Sequence, residues 1–229
     1  MKEKSREYQK VITYLSDMIA AGELTMGSRL PTERKIAEIL SIGRNSTREA
    51  LRMLENTGVI ESRRGSGNYL VGNLSRAIFD VVDMMLLLRQ TDREEICSFR
   101  RNMEKAVCRT IVENHTFFNW RTHALELLNA SAQSDSFSEQ VELDRQFHYL
   151  LIHATENNFW ITMMEPIADV YRRWIDAALL SADEQVTVQL HQAHMDMFQA
   201  LENSDIVLCE KAIERHYDLV DGEMRKENT

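Results

Sequence analysis

Asp144 and His148 stand four residues apart in Glu142-Leu143-Asp144-Arg145-Gln146-Phe147-His148. On a helix that spacing sets a carboxylate and an imidazole on one face, one turn apart. Such a pair is half of a divalent-metal site, and it is equally the donor and acceptor of a plain local hydrogen bond. The other histidines are His115, His123, His153, His191, His194 and His216, and spacing alone does not say which of them completes a site. Arg100 and Glu104 are also one turn apart. They read either as an exposed ion pair or as a guanidinium held ready to fork onto an acid. A different chemistry sits near the start of the chain, in Arg44-Asn45-Ser46-Thr47-Arg48. Arg forks onto guanine O6 and N7, Asn onto adenine N6 and N7, and Ser or Thr hydroxyls reach bases or phosphates.

The chain that must position these groups has 229 residues, 44% hydrophobic and 28% charged, the composition of an ordinary globular protein of one or two domains. No stretch approaches the roughly 18 apolar residues of a membrane span. The charged start MKEKSREYQK is unlike a signal peptide. Cys97, Cys108 and Cys209 are odd in number, far apart and without CxxC pairing, which points to reduced, buried thiols in a cytoplasmic protein, with a thiol sensor as the alternative. The net charge of -9 hides a polarity. The first 71 residues hold 12 Lys and Arg against 9 Asp and Glu, and the remainder holds 15 against 27. A small basic head on an acidic body suits a DNA reader.

Glycine draws the boundary. Seven of the eight glycines lie in the first 72 residues, along with Pro31, so short elements and tight turns belong there and long helices beyond. The junction is expected near Gly72-Asn73-Leu74-Ser75, with Ser75 capping the next helix, giving domains 1–72 and 73–229. In the first, Val11, Ile12, Leu15, Met18 and Ile19 predict an amphipathic helix over Tyr8–Ala21. Leu30-Pro31-Thr32-Glu33-Arg34 starts a second with Ile36, Ala37, Ile39 and Leu40 inward. After the turn Ser41-Ile42-Gly43, a third runs from about Asn45 to Asn56, capped by Asn45 or by Ser46 with Glu49, and buries Ala50, Leu51, Met53 and Leu54. Residues 59–64, Gly65-Ser66-Gly67 and 68–71 read as strand, turn and strand. That order is a winged helix-turn-helix. From Ser75 the pattern predicts an all-α antiparallel bundle of six or seven helices, at about 76–89, 92–114, 117–132, 137–155, 157–180, 184–202 and 205–225. The fold class is therefore mainly α.

In this arrangement the N-terminal end of the third helix enters the major groove. Arg34 meets the DNA backbone, and Arg63, Arg64 and the glycine-rich tip lie along the minor groove. The alternative is that these arginines are only solvated charges. Leu30-Pro31-Thr32-Glu33-Arg34, Arg44-Asn45-Ser46-Thr47-Arg48-Glu49-Ala50-Leu51, Leu54-Glu55-x-x-Gly58 and Gly65-x-Gly67 resemble the DNA-binding domain of the GntR family over residues 8–71. The resemblance implies DNA contacts at Arg34, Arg44, Asn45, Ser46, Arg48, Arg64 and Gly65. Gly43 and Thr47 depart from the family's usual Ser or Thr and aliphatic residue, which implies weaker backbone anchoring or an altered operator.

Further along, Asp144-x2-Phe147-His148 with Asn157, and His194-x5-Ala200-Leu201-x3-Asp205-x10-His216, resemble the ligand domain of the FadR branch of that family. The resemblance implies that Asp144, His148, His194 and His216 bind a divalent metal, zinc first, with nickel and manganese also suited to the donors. It implies that Arg100 meets an effector carboxylate, oriented by Glu104, and that Arg172-Arg173-Trp174, Arg173 above all, lines the pocket. His153 and His191 do not align and read as surface or packing residues, and Met163-Met164 and Met195-x-Met197 as core.

The function expected is that of a homodimeric transcription regulator on a pseudo-palindromic operator in double-stranded DNA, controlled by a small organic or sugar acid. A helical metalloenzyme is the competing class. The inferred site has one carboxylate, no paired metal and no evident general base, and both HExxH and paired Glu-x-x-His are absent. The third class is a regulator for which metal occupancy is itself the signal. No membrane partner is expected.

Overall fold

The computed structural model describes the backbone of residues 2–114, 120–180 and 182–226, and their side chains apart from 2–6, 173, 178 and 179. His115, the expected helix start at 117–119 and the Arg173 side chain lie outside the described residues. The chain divides into two compact units, Met1–Asp80 and Val81–Thr229.

The first unit holds helices α1 (Lys2–Ala20), α2 (Glu33–Leu40) and α3 (Arg44–Asn56) and the hairpin β1 (Ile60–Arg63) with β2 (Gly67–Leu70). Val11 and Leu15 of α1, Ile36 of α2, Ala50, Leu51 and Leu54 of α3, and Ile60 and Leu70 of the hairpin share one core. The hairpin is antiparallel, Ile60 opposite Leu70 and Arg63 opposite Gly67. Leu30 N–H donates to the Asn68 carbonyl at 2.8 Å and Leu70 N–H to the Ser28 carbonyl at 2.9 Å, so the segment before α2 edges the wing.

Thr32 caps α2, its hydroxyl accepting the Lys35 N–H at 3.3 Å. Ser41 ends that helix in the left-handed region at φ 52°. Several expectations shift here. Ile39 and Met53 are half-exposed, at 49% and 50%, and Ile19 is exposed at 44%. α3 begins at Arg44 with Gly43 as its N-cap, which has no side chain to offer. Asn45 and Ser46 therefore lie inside the first turn and cap nothing. Asn73 Oδ1 accepts the Ser75 N–H at 3.2 Å, so the side-chain acceptor at the start of the next helix comes from Asn73.

The border between the units falls within α4 (Ser75–Leu87). Among the described residues six helices follow: α5 (Arg93–Asn114), α6 (Trp120–Gln133), α7 (Phe137–Ala154), α8 (Asn158–Leu180), α9 (Glu184–Glu202) and α10 (Ile206–Lys226). α10 lies along α9 and also packs on α5 and α8, while α7 is packed by α5, α6 and α8. Side chains close the helix starts. Asp183 accepts the Val186 N–H at 2.9 Å, Asn157 the Phe159 N–H at 2.9 Å and Asp205 the Leu208 N–H at 3.0 Å. With so little glycine, Arg89, Glu156 and Ser204 take the left-handed backbone at the helix ends, at φ 53–56°. α8 runs through Pro166, which forgoes one helical hydrogen bond there.

Candidate functional site

α7 carries Asp144 and His148, α9 carries His194, and α10 carries His216. One ligand atom from each lies within 4.8 Å of all the others. His194 Nε2 is 3.2 Å from Asp144 Oδ1 and 3.2 Å from His148 Nε2, and His148 Nε2 is 3.8 Å from the same Asp144 oxygen. The three imidazole centroids are 4.6–5.1 Å apart. All three histidines are buried.

Glu104 of α5 fixes the tautomer of one of them. Its Oε1 is bonded to His148 Nδ1, and Tyr217 of α10 donates its hydroxyl to Oε2. An ionised carboxylate only accepts, so Nδ1 carries a proton, and Nε2, which faces Asp144 and His194, is the nitrogen a cation would take once its own proton is lost. Burial alone would raise the Glu104 carboxyl. The charge and hydrogen bond of His148 and the charge of Arg100 more than reverse this and hold it at about 2. Asp144 behaves likewise. Burial pushes it up, but the His194 hydrogen bond and the nearby imidazoles hold it well below the usual carboxylate range. His216 goes the other way. Burial first, then the charges of His194 and His148, push it well below the ordinary imidazole value, so it stands neutral.

Four groups with lone pairs converging in a buried space fit a divalent cation. Among the described residues His216 Nδ1 is buried with no hydrogen-bond partner. Nitrogen and carboxylate donors in this ratio suit zinc, nickel or manganese. The Glu104–His148 bond is the outer support that metal-bound histidines commonly have.

Arg100 and Glu104 are buried, which excludes the exposed ion pair. The Glu104 oxygens meet His148 and Tyr217, and its charge acts on the nearby Arg100 without a hydrogen bond between the two among those described. The Arg100 guanidinium stacks instead on Tyr171 at 4.9 Å and on Tyr217 at 5.9 Å. Arg172 pairs with Asp176 at 2.9 Å and Glu142 at 3.4 Å. His153 pairs with Glu165 at 2.7 Å on the surface. His191, expected at the surface or in packing, lines a cavity of about 290 Å³ that reaches Asp144 and His194. Its position one turn before His194 on α9 was the available signal.

In the first unit, Arg34, Arg44, Asn45, Arg48, Arg64 and Gly65 are exposed and Ser46 is half-buried. Arg48 forks onto Glu33, Nε to Oε2 and Nη2 to Oε1, both at 2.9 Å. Arg44 lies 3.5 Å from the same carboxylate, and Arg34 lies 3.5 Å from Glu38. Arg63 pairs with Glu61 at 2.8 Å and lies 4.3 Å over the Tyr69 ring. Thr47 is fully buried and donates to the Gly43 carbonyl at 3.2 Å, so its hydroxyl is unavailable to DNA. Since Gly43 lacks a capping side chain, the first-turn N–H groups of α3 are left without a side-chain acceptor from the cap, the arrangement that favours a phosphate.

Residues 7–70 match the family model of bacterial regulatory proteins, gntR family, and residues 95–219 match that of the FCD domain. The chain is 29% identical over 226 residues to the Uxu operon transcriptional regulator of Escherichia coli K12, covering 86% of this chain and 85% of that protein. It is 26% identical over 224 residues to the Exu regulon transcriptional regulator of the same organism, covering 90% and 86%. To the HTH-type transcriptional regulator LutR of Bacillus subtilis it is 24% identical over 204 residues, covering 87% and 92%. Among solved structures, Streptococcus agalactiae GntR has a TM-score of 0.68 at 19% identity, covering 96% of this chain and 99% of that one.

Proposed function

Because the chain belongs to the gntR family of bacterial regulatory proteins and carries an FCD domain, we propose that it is a regulator whose hold on its operator is set by a small acid bound at a metal in the helical unit. It is a DNA-binding transcription regulator, as its relatives are, and not an enzyme. No helix among the described residues is long and apolar enough to cross a membrane. We read residues 1–72 as the DNA-binding domain and 73–229 as the domain for effector binding and dimerisation. A cytoplasmic homodimer reading a pseudo-palindromic operator completes the proposal, since two copies of one helix-turn-helix match two half-sites.

The convergence of Asp144, His148, His194 and His216 carries this reading. These four residues would hold the ion, and zinc, nickel or manganese would supply a Lewis-acidic centre able to take an acid's oxygen. Glu104 acts through His148, keeping its ring oriented with Nε2 toward the centre. Arg100 supplies a buried positive charge that favours an anion at the centre, and Arg173 remains an effector-site candidate by family resemblance. On the DNA side, Arg44, Asn45, Ser46 and Arg48 would read bases. Arg34, Arg64 and the Gly65 turn would meet backbone and minor groove.

The test selects an operator from random duplex DNA and measures its affinity by fluorescence anisotropy at fixed salt. A panel of sugar acids, hydroxy acids, dicarboxylates and aliphatic monocarboxylic acids is added with and without chelator. The proposal expects one class of acid to shift operator affinity at least fivefold, and only with metal present. An affinity that ignores both acids and chelator contradicts it, and one that follows metal alone assigns the signal to the metal.

A further inference from the structure

The cavity beside the metal ligands has a composition that selects among acids. It opens between the end of α6, the first half of α7 and the first half of α9. Its volume of about 290 Å³ has room for roughly ten water-sized groups at about 30 Å³ each. Asp144 and His194 lie in its lining, so a molecule in it would touch the centre. Among the described residues Asp144 is the one formally charged group that lines it; no lysine or arginine does, and Arg100 is not part of the wall. Phe137, Val141, Val188 and Leu190 supply large apolar surface, and Phe137 and Val188 are exposed at 44% and 63%.

Polar groups in the wall are few, and several are committed. Thr187 donates its hydroxyl to the Asp183 carbonyl at 3.2 Å, and Gln140 Nε2 donates to the Ser134 carbonyl at 2.6 Å. Ser131, Gln140 Oε1 and His191 remain, the last two with a buried atom that has no partner. These satisfy a hydroxyl or two. A chain of sugar hydroxyls would find few partners in this wall: those set against Val141 and Leu190 lose water without a replacement, which disfavours a polyhydroxy body there.

The charge count points the same way. A divalent ion with Asp144 and three neutral imidazoles carries a single net positive charge, and the ionised Glu104 and the buried Arg100 behind it cancel each other. One carboxylate neutralises the centre, and a second would face the apolar wall, where no lysine or arginine lies.

We propose that this cavity is the effector chamber and that its ligand is a monocarboxylic acid with an apolar body, its carboxylate at the metal and its body between α7 and α9. The inference rests on the metal-site reading above and narrows it, setting polyhydroxy acids and dicarboxylates aside. Gln140 and His191 are specificity-determining residues in this assignment, placed to accept a single polar substituent on the acid.

The experiment is calorimetric titration of the full-length, zinc-loaded chain with 4-methylpentanoate, galacturonate and succinate, alongside an independent measurement of zinc uptake. 4-Methylpentanoate is expected to bind at least tenfold more tightly than either of the others. Val188→Asp changes an exposed wall position, so the fold and zinc uptake should be retained while affinity for 4-methylpentanoate falls at least tenfold. Asp144→Asn should lose zinc and the acid together. Zinc uptake with galacturonate or succinate preferred, with no acid bound, or with Val188→Asp without effect overturns the chamber assignment alone. Failure of the wild-type chain to take up zinc, nickel or manganese, or acid binding that ignores chelator, overturns the metal-site reading and this inference with it.

Discussion

Arg48 and Glu33 form a two-pronged ion pair across the turn between α2 and α3, each N–O distance 2.9 Å, with Arg44 3.5 Å from the same carboxylate. One acidic side chain thus meets two arginines at the N-terminal end of α3, the end proposed to read DNA. Removing it should loosen their aim while also removing a negative charge that phosphates oppose. Glu33→Gln is therefore expected to tighten binding to scrambled duplex and to lower the ratio of operator to scrambled affinity about tenfold. Anisotropy titrations of both duplexes at one salt concentration measure it. An unchanged ratio would show that Glu33 is not a positioning group.

The arginines themselves should separate by role. Arg44→Ala is expected to cost about 1–3 kcal/mol on the operator and to relax preference at one base position. Arg64→Ala, at the wing tip, should weaken all sequences alike and reduce the salt slope by about one. Affinities from 50 to 200 mM salt on operator and scrambled DNA distinguish the two patterns, and a reversal of the two would reassign the contacts.

Glu104→Gln leaves a similar shape but replaces a carboxylate acceptor at His148 Nδ1 with an amide. The expected result is a metal affinity about 10–100-fold lower with secondary structure retained. Competition against a chromophoric chelator reads the affinity directly. Unaltered affinity would mean that the Glu104–His148 bond contributes only to packing.

Two glycines with the same backbone conformation should respond differently to alanine. Gly22 has φ +74° and open space where a Cβ would go, so Gly22→Ala is expected to cost about 1–2 kcal/mol of left-handed strain alone. Gly58 has φ +75°, but its Cβ would fall 1.7 Å from the Asn73 carbonyl oxygen, so backbone must move as well. Gly58→Ala should destabilise the first unit clearly more than Gly22→Ala in denaturant titrations. Equal costs would place Asn73 away from that turn.

Much of this was legible in the sequence because it follows from periodicity and glycine placement. Val11, Leu15, Ile36, Ala50 and Leu51 occupy the core their spacing requires, and the seven helices beyond Leu74 fall close to the expected ranges. What failed was finer. Ile39 and Met53 share the apolar character of core residues but sit at the edge of their helix faces, where a shift of about 100° per residue decides exposure. Asn45 and Ser46 are good caps by type, yet the helix begins one or two residues before them because Gly43 takes the extended backbone first. In the second unit, tight helix ends exist without glycine, since Arg89, Glu156 and Ser204 adopt the left-handed backbone. Asp144 and His148 were visible as a pair. His194 and His216 needed the family resemblance, because side chains drawn from three helices have no common spacing. The bond from Glu104 to His148 joins α5 to α7 across 44 positions and leaves no local signature.

Whether Asp144, His148, His194 and His216 hold a metal is tested most directly by titrating the chelator-treated full chain with zinc and following thermal unfolding. A ligand at 100 times its dissociation constant stabilises the folded state by about 2.7 kcal/mol. The wild-type midpoint should therefore climb with zinc, while Asp144→Asn and His216→Ala should stay nearly flat. A wild-type midpoint indifferent to zinc, nickel and manganese alike, or one that rises equally in both variants, would contradict the site.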